Sequence, residues 1–125
     1  MKRFVSPNEL RILDDQERMI CGMTEKCDGG EMCTVALKGA LTHECAYDLE
    51  DELLALISVG KGITFDMAET ESISGTFAKL LVSVQARLDE TSFEAKPIQN
   101  MPKEICESLR KIGCLSSLEY ELKEE

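Results

Sequence analysis

No stretch of this 125-residue sequence is apolar for long enough to cross a membrane; its longest apolar run is about five residues, against the twenty or so that a spanning helix needs. Positive charge is scarce as well. Lys and Arg total 14 against 24 Asp and Glu, a formal net charge of −10, and no local basic patch offsets it. Such a surface repels a phosphate backbone or an anionic lipid sheet, so neither nucleic acid nor membrane is an expected partner. The opening residues, MKRFVSPNEL, contain no apolar core of signal-peptide length, and the expected location is cytoplasmic. Histidine occurs once, at His43, and no Cys-x-x-Cys pair occurs. Gly60-Lys61-Gly62 lacks the hydroxyl and the following helix of a phosphate-binding loop. No nucleophile stands in a pattern with a base. No catalytic residue, metal ligand or cofactor is therefore expected, and the chain reads as a binding protein and not an enzyme.

What is present suits a folded domain. Hydrophobic residues make up 43% of the chain and charged residues 30%, ordinary globular proportions. A chain of this length buries roughly 65–70% of its unfolded surface, so one core, and one domain, can form unaided. Six cysteines stand at Cys21, Cys27, Cys33, Cys45, Cys106 and Cys114. In a small secreted protein they would suggest three bridges. Without a leader, and with two of the six on apolar faces of expected helices, reduced and partly buried thiols are the expectation. Cys21, Cys27 and Cys33 are spaced by five intervening residues each time, which is not a usual zinc pattern. A metal or thiol protein using these three is the alternative from another class.

Periodicity orders the chain. Ser6-Pro7-Asn8-Glu9 has the form of a capping box and predicts a short helix from Pro7 to about Leu13. From Arg18 to Thr24 the pattern alternates, with Met19, Cys21 and Met23 on one face: a strand. Asp28-Gly29-Gly30 signals a turn into a second strand carrying Cys33, Val35 and Leu37, and the two form a hairpin. The chain then leaves that strand over Gly39 to Thr42. Thr42 is placed to cap a helix whose stripe is Ala46, Leu49, Leu53, Leu56 and Ile57, ending near Gly60. Ile63, Phe65 and Met67 alternate as a third strand, followed by a polar stretch over Glu69, Thr70, Glu71 and Ser72. Ser74 is placed to cap a helix from Gly75 to Leu88, with Phe77, Leu80, Leu81, Val84 and Leu88 as its buried stripe. A short strand over Phe93 to Lys96 closes at Pro97. Asn100 is placed to cap a last helix with Ile105, Leu109 and Ile112 inside and Gly113 as its stop. Leu118 to Leu122 reads as an edge strand or an ordered tail. Helices alternating with strands mean an α/β domain with crossover connections.

Four segments, in order, resemble the STAS domain, the fold of bacterial anti-sigma factor antagonists and of sulfate-transporter tails. In VALKGALTHECAYDLEDELLAL, Gly39 and Leu41 match a Gly-x-Leu, and Leu49 and Leu53 match the core of the helix after it. In ITFDMAETESISGTFAKLL, Asp66 and Met67 match the Asp-Leu before the family's regulatory turn, and Ile73 matches an apolar position. AKLLVSVQARLDETSFEAKPI resembles the long helix and the strand behind it. MPKEICESLRKIGCLSSL resembles the closing helix, with Leu109, Gly113 and Leu115 in its ending. The resemblance spans residues 18–118. It implies a single STAS-like domain over 18–122, with a mixed sheet of four or five strands and helices mainly on one face. Residues 1–17 are then an N-terminal extension holding the short helix.

The resemblance also implies a function: a signalling module in transcription regulation, a monomer or homodimer, that binds an anti-sigma factor or another histidine-kinase-like regulatory protein. The family's turn reads Asp-Ser-Ser-Gly, and a partner kinase phosphorylates the first Ser. Here the aligned residues are Ser74, Gly75, Thr76 and Phe77. The acceptor position holds Gly75, which has no hydroxyl, so the candidate phosphoacceptors are Ser74 and Thr76; a scaffold that is never phosphorylated is the alternative. The Asp that follows Gly-x-Leu in many members is Thr42. The expected partner surface comprises Thr42, Ser72, Ser74, Gly75, Thr76, Ala78, Lys79 and Val82, with Ala78, Val82 and Gln85 along the outer side of the helix. A phosphate on this turn would meet the free N–H groups of a helix start. Asp66, Glu69 and Glu71 read as a solvated acidic rim, and His43 as a surface residue at a helix start.

Overall fold

The computed structural model describes residues 2–27, 32–90 and 97–124. The elements run β1 (Lys2–Ser6), β2 (Glu9–Leu13), β3 (Met19–Cys27), β4 (Met32–Leu41), α1 (His43–Ser58), β5 (Gly62–Asp66), β6 (Thr70–Ile73), α2 (Gly75–Asp89), β7 (Ile98–Met101), α3 (Lys103–Ile112), a 3-10 turn (Leu115–Ser117) and β8 (Tyr120–Leu122). All eight strands join one mixed sheet in the order β1-β2-β3-β4-β5-β7-β8, with β6 paired to β4 off that path. The expectation of four or five strands is therefore corrected to eight among the described residues. β1 to β4 are antiparallel neighbours, while β4, β5, β7 and β8 run parallel.

Along β4, Cys33, Val35, Leu37 and Leu41 are buried while Thr34, Ala36, Lys38 and Ala40 keep partial exposure. That alternation means the helices cover one face of the sheet. Against that face lie Leu49 and Leu53 of α1, Phe77, Leu81 and Val84 of α2, and Ile105 and Leu109 of α3, each 1% exposed or less. All five residues of the expected α2 stripe are buried. Gly113 adopts a left-handed conformation at the end of α3, as its place after Arg110 and Lys111 implies.

The differences from the sequence reading have local causes. The expected helix from Pro7 to Leu13 is the strand β2, preceded by a Pro7-Asn8 turn. Leu10 and Ile12 alternate inward there, 2% and 1% exposed, and β3 supplies the backbone partners. Residues 2–13 form a hairpin continuous with the sheet, and Arg3 reaches from β1 to Glu52 (3.3 Å) and Asp48 (3.8 Å) on α1. Met19 lies beside a register shift opposite Leu13 and is 44% exposed, apart from the buried Cys21 and Met23. β4 does not end at Gly39 but continues to Leu41. Gly39 has φ of +80°, and a Cβ there would collide with the Ile20 carbonyl oxygen of β3, so only glycine lets the strands approach this closely. Asn100 lies in β7 at φ +56° and caps no helix; its amide donates to Asp66 Oδ1 (3.2 Å), and α3 starts after Pro102 without a side-chain cap. Of the segment Leu118–Leu122, Tyr120–Leu122 forms the edge strand β8. The expected Asp28–Gly30 turn and Phe93–Lys96 strand lie outside the described residues; the strand that is described begins after Pro97, at Ile98.

The thiols are corrected too. Cys21 of β3 is bonded to Cys45 of α1, and Cys27 to Cys33 across the β3–β4 hairpin; Cys106 and Cys114 are free. Cys21, Cys27 and Cys33 thus fall into two separate bridges and form no common centre. No helix among the described residues is long and apolar enough to cross a membrane.

Candidate partner-binding site

β4 is long enough to serve two partners in line. Its first half, Met32–Ala36, pairs with β5, and its last residues, Gly39–Leu41, pair with β6. Since β6 runs parallel to the end of β4, both chains leave the sheet side by side and enter helices at the same edge. Leu41 is matched with Ile73, and the Ser74 N–H donates to the Leu41 carbonyl at 2.9 Å. The polar stretch over Glu69, Thr70, Glu71 and Ser72 thus falls largely in the strand that aims α2. Thr70 fixes it: buried at 6% exposure, its hydroxyl donates to the Leu37 carbonyl at 2.8 Å.

Each helix begins with the cap expected for it. Thr42 Oγ1 accepts the Cys45 N–H at 3.3 Å, and Ser74 Oγ accepts the Phe77 N–H at 3.1 Å. At their first residues the helices touch: His43 Nδ1 lies 2.7 Å from Thr76 Oγ1. The Tyr47 ring stands edge-on to His43, with centroids 5.1 Å apart, and is 60% exposed. A shallow cavity of about 180 Å³ lies between α1 and α2, bordered by Tyr47, Glu50, Thr76 and Lys79.

The expected surface residues divide. Ser72 and Lys79 are exposed; Thr42, Ser74, Gly75, Thr76 and Val82 are partly exposed. Ala78 is not: it is fully buried and belongs to the core, because the close approach of α2 to its neighbours leaves no solvent over a small side chain. Gly75 has open space around it, with nothing within 4 Å of where a Cβ would stand. Sequence reasoning missed the contribution of His43 and Tyr47. The Thr42 cap places His43 first in its helix, but its meeting with Thr76 depends on the β4–β6 pairing, which leaves no mark in the sequence.

Two carboxylates of the acidic rim are engaged locally, while Glu71 is exposed. Asp66 Oδ1 accepts the Ala68 N–H (3.0 Å) as well as the Asn100 amide, and Glu69 pairs with Lys38 at 3.3 Å. Among the described residues no three His, Cys, Asp or Glu side chains gather as a metal site would require. The geometry suits recognition by contact: two capped helix starts, one histidine–threonine bridge and one exposed tyrosine on a single edge of the sheet.

No protein-family model matches the chain, and no curated protein matches it. Solved structures do. The anti-sigma factor antagonist SpoIIAA in its unphosphorylated form superposes with a TM-score of 0.66 at 12% identity, over 79% of this chain and 87% of that one. An anti-sigma factor antagonist from Mycobacterium paratuberculosis gives 0.67 at 13% identity, over 84% and 86%. At this identity the likeness establishes the fold: the STAS-like architecture implied by the resemblance is the architecture observed.

Proposed function

We propose that this chain is a regulatory binding module, an anti-sigma factor antagonist, that acts by contact and not by catalysis. The observation that carries this reading is the shared fold with two such antagonists over about four-fifths of the chain. The partner is a kinase-type anti-sigma factor or a related histidine-kinase-like switch protein. It docks on the edge formed by Thr42, Ser72, Ser74, Gly75, Thr76, Lys79 and Val82, with His43 and Tyr47 added to that surface. The net charge of −10 favours a partner with a basic face. The module is proposed to be residues 18–122, with the β1–β2 hairpin added to its sheet, working in the cytoplasm as a monomer or homodimer.

Binding is proposed to be constitutive. The usual acceptor position holds Gly75, the Ser74 oxygen caps α2, and the Thr76 hydroxyl is bridged to His43. Titration calorimetry against purified kinase-type anti-sigma factors from the same genome tests the reading. Gly75→Arg places a bulky side chain in open space on this edge, so it should fold normally yet weaken binding at least about tenfold, the loss of one well-packed contact. Absence of binding by every such factor refutes the partner; unchanged affinity of Gly75→Arg refutes the surface. Incubation with the cognate kinase followed by intact-mass measurement tests the constitutive claim, and a phosphate on Ser74 or Thr76 would overturn it.

A further inference from the structure

The two disulfides differ in access, one of the properties that govern exchange. Cys21 and Cys45 are both 0% exposed, and their bond ties β3 to the first turn of α1 beneath the Thr42 cap. Cys27 and Cys33 face each other as a registered pair across β3 and β4, with Cα atoms 4.2 Å apart and a sequence separation of 6. Cys27 is exposed, whereas Cys33 is 1% exposed. Thiol–disulfide exchange needs an open line of approach to the attacked sulfur, and it leaves the other sulfur behind as a thiolate.

We propose that Cys27–Cys33 is a reversible thiol–disulfide exchange site whose co-substrate is a small dithiol or a glutathione-type thiol, and that Cys21–Cys45 is a structural bond outside that chemistry. An incoming thiolate attacks Cys27 Sγ, a new sulfur–sulfur bond forms to Cys27, and the Cys27–Cys33 bond breaks. Cys33 Sγ leaves with the electron pair and takes a proton from water. The second thiol of a dithiol, or a second glutathione, then attacks the mixed disulfide. It releases Cys27 as a thiol, and the reductant ends as its own disulfide. The reverse sequence, starting from glutathione disulfide, reoxidises the pair. In the reducing compartment proposed for this chain, a disulfide within reach of thiols turns over or senses redox state, whereas a buried one is shielded from the thiols that would open it. The site sits at the start of β4, and the partner edge at its end, so exchange is separable from partner binding.

The full chain, purified without reductant, is treated with dithiothreitol near neutral pH, quenched with acid at intervals, alkylated and peptide-mapped, with circular dichroism recorded throughout. Cys27 and Cys33 should become alkylated at least about tenfold faster than Cys21 and Cys45, whose exposure needs local unfolding, with no change in the spectrum. Cys33→Ser, offered glutathione disulfide, should take one glutathione on Cys27; Cys27→Ser should take little on Cys33. The proposal is overturned if both bridges open at the same rate, if Cys27–Cys33 opens only as the fold is lost, or if the reduced pair fails to reform with glutathione disulfide. Should either variant fail to fold, the wild-type kinetics decide alone. A failure here leaves the anti-sigma factor measurements untouched, and the converse also holds.

Discussion

Gly39→Ala is the sharpest test of how β3 and β4 are held together, and Gly75→Ala is its control. At Gly39 the backbone has φ of +80°, and an added Cβ meets the Ile20 carbonyl oxygen at less than van der Waals distance and Cys21 Cα at 3.2 Å. A left-handed conformation costs a residue bearing a Cβ about 1–2 kcal/mol. Pushing two paired strands apart to admit a methyl group adds about 1–3 kcal/mol, the usual penalty for overpacking. The obstacle is backbone, which cannot swing aside as a side chain end would. Together the change should cost about 2–5 kcal/mol, a large part of a stability that is typically about 5–15 kcal/mol. Gly75 has no positive φ and open space around it, so Gly75→Ala should be neutral or stabilise by up to about 1 kcal/mol by restricting the unfolded chain. Urea denaturation followed by circular dichroism measures both, with unchanged slopes confirming that the unfolded state is comparable. Coincident curves for the two variants would refute the close approach at Gly39, and with it the continuation of β4 that carries β6 to its place.

Leu81 and Leu109 are both 0% exposed in different helices, and truncating either to Ala should cost about 2–5 kcal/mol; losses below a kilocalorie in urea titrations would mean the helices are wrongly phased. Ser74→Ala removes the α2 cap and should cost about 0.5–2 kcal/mol, whereas Ser74→Asp should leave stability nearly unchanged, because Asp caps as well; equal thermal midpoints for the two variants would refute the cap. Glu25 has its carboxyl pushed above the ordinary range, first by burial and second by the charge of Glu52. The folded chain therefore holds that proton more tightly than the unfolded chain, so the ionised group costs stability above the raised value and costs nothing below the unfolded one. Glu25→Gln should raise the denaturation midpoint at neutral pH, with the gain shrinking on acidification; a pH-independent gain would refute the shift.

Long periodic elements were legible in the sequence because burial enforces their period. The α2 stripe, the Thr42 and Ser74 caps and the Gly113 stop all appear in the structure where their residues imply them. The N-terminal hairpin was masked by Ser6-Pro7-Asn8-Glu9, which imitates a capping box. Here Ser6 Oγ instead donates to the Glu9 carbonyl at 3.5 Å across a turn, and the alternation of Leu10 and Ile12 was the better guide. β6 was hidden for another reason. Only Thr70 and Ile73 of its four residues are buried, and its extended form rests on bonds to β4, whose paired residues Gly39 to Leu41 lie far back in the sequence. The bridges lay between these cases. A hairpin folded evenly about its turn puts Cys27 opposite Cys33, so that pair followed from the hairpin once its register was known. Cys21 and Cys45 meet only when α1 has packed on the sheet. Expecting reduced thiols rested on compartment, which says nothing about proximity.

The same β4–β6 pairing decides what the absent hydroxyl at Gly75 means. If the edge has merely lost its acceptor, the surface that a kinase-type partner reads is still present, and only the reacting oxygen is missing. Gly75→Ser supplies that oxygen at a position with open space and an ordinary backbone, between a Ser74 that continues to cap α2 and a Thr76 that continues to meet His43. A phosphate on it would lie against the first free N–H groups of the helix, where about 0.3–1 kcal/mol of dipole stabilisation awaits an anion. It would also add roughly −1.5 to −2 charge to a chain already at −10. With the cognate anti-sigma kinase, Gly75→Ser should accept one phosphate and then bind that partner more weakly, while the unmodified variant binds as the wild type does. Phosphorylation of the wild type under the same conditions would show that Ser74 or Thr76 is the acceptor and that binding is switched. A Gly75→Ser chain that folds, binds and is never phosphorylated would show that the edge has lost kinase recognition along with the hydroxyl.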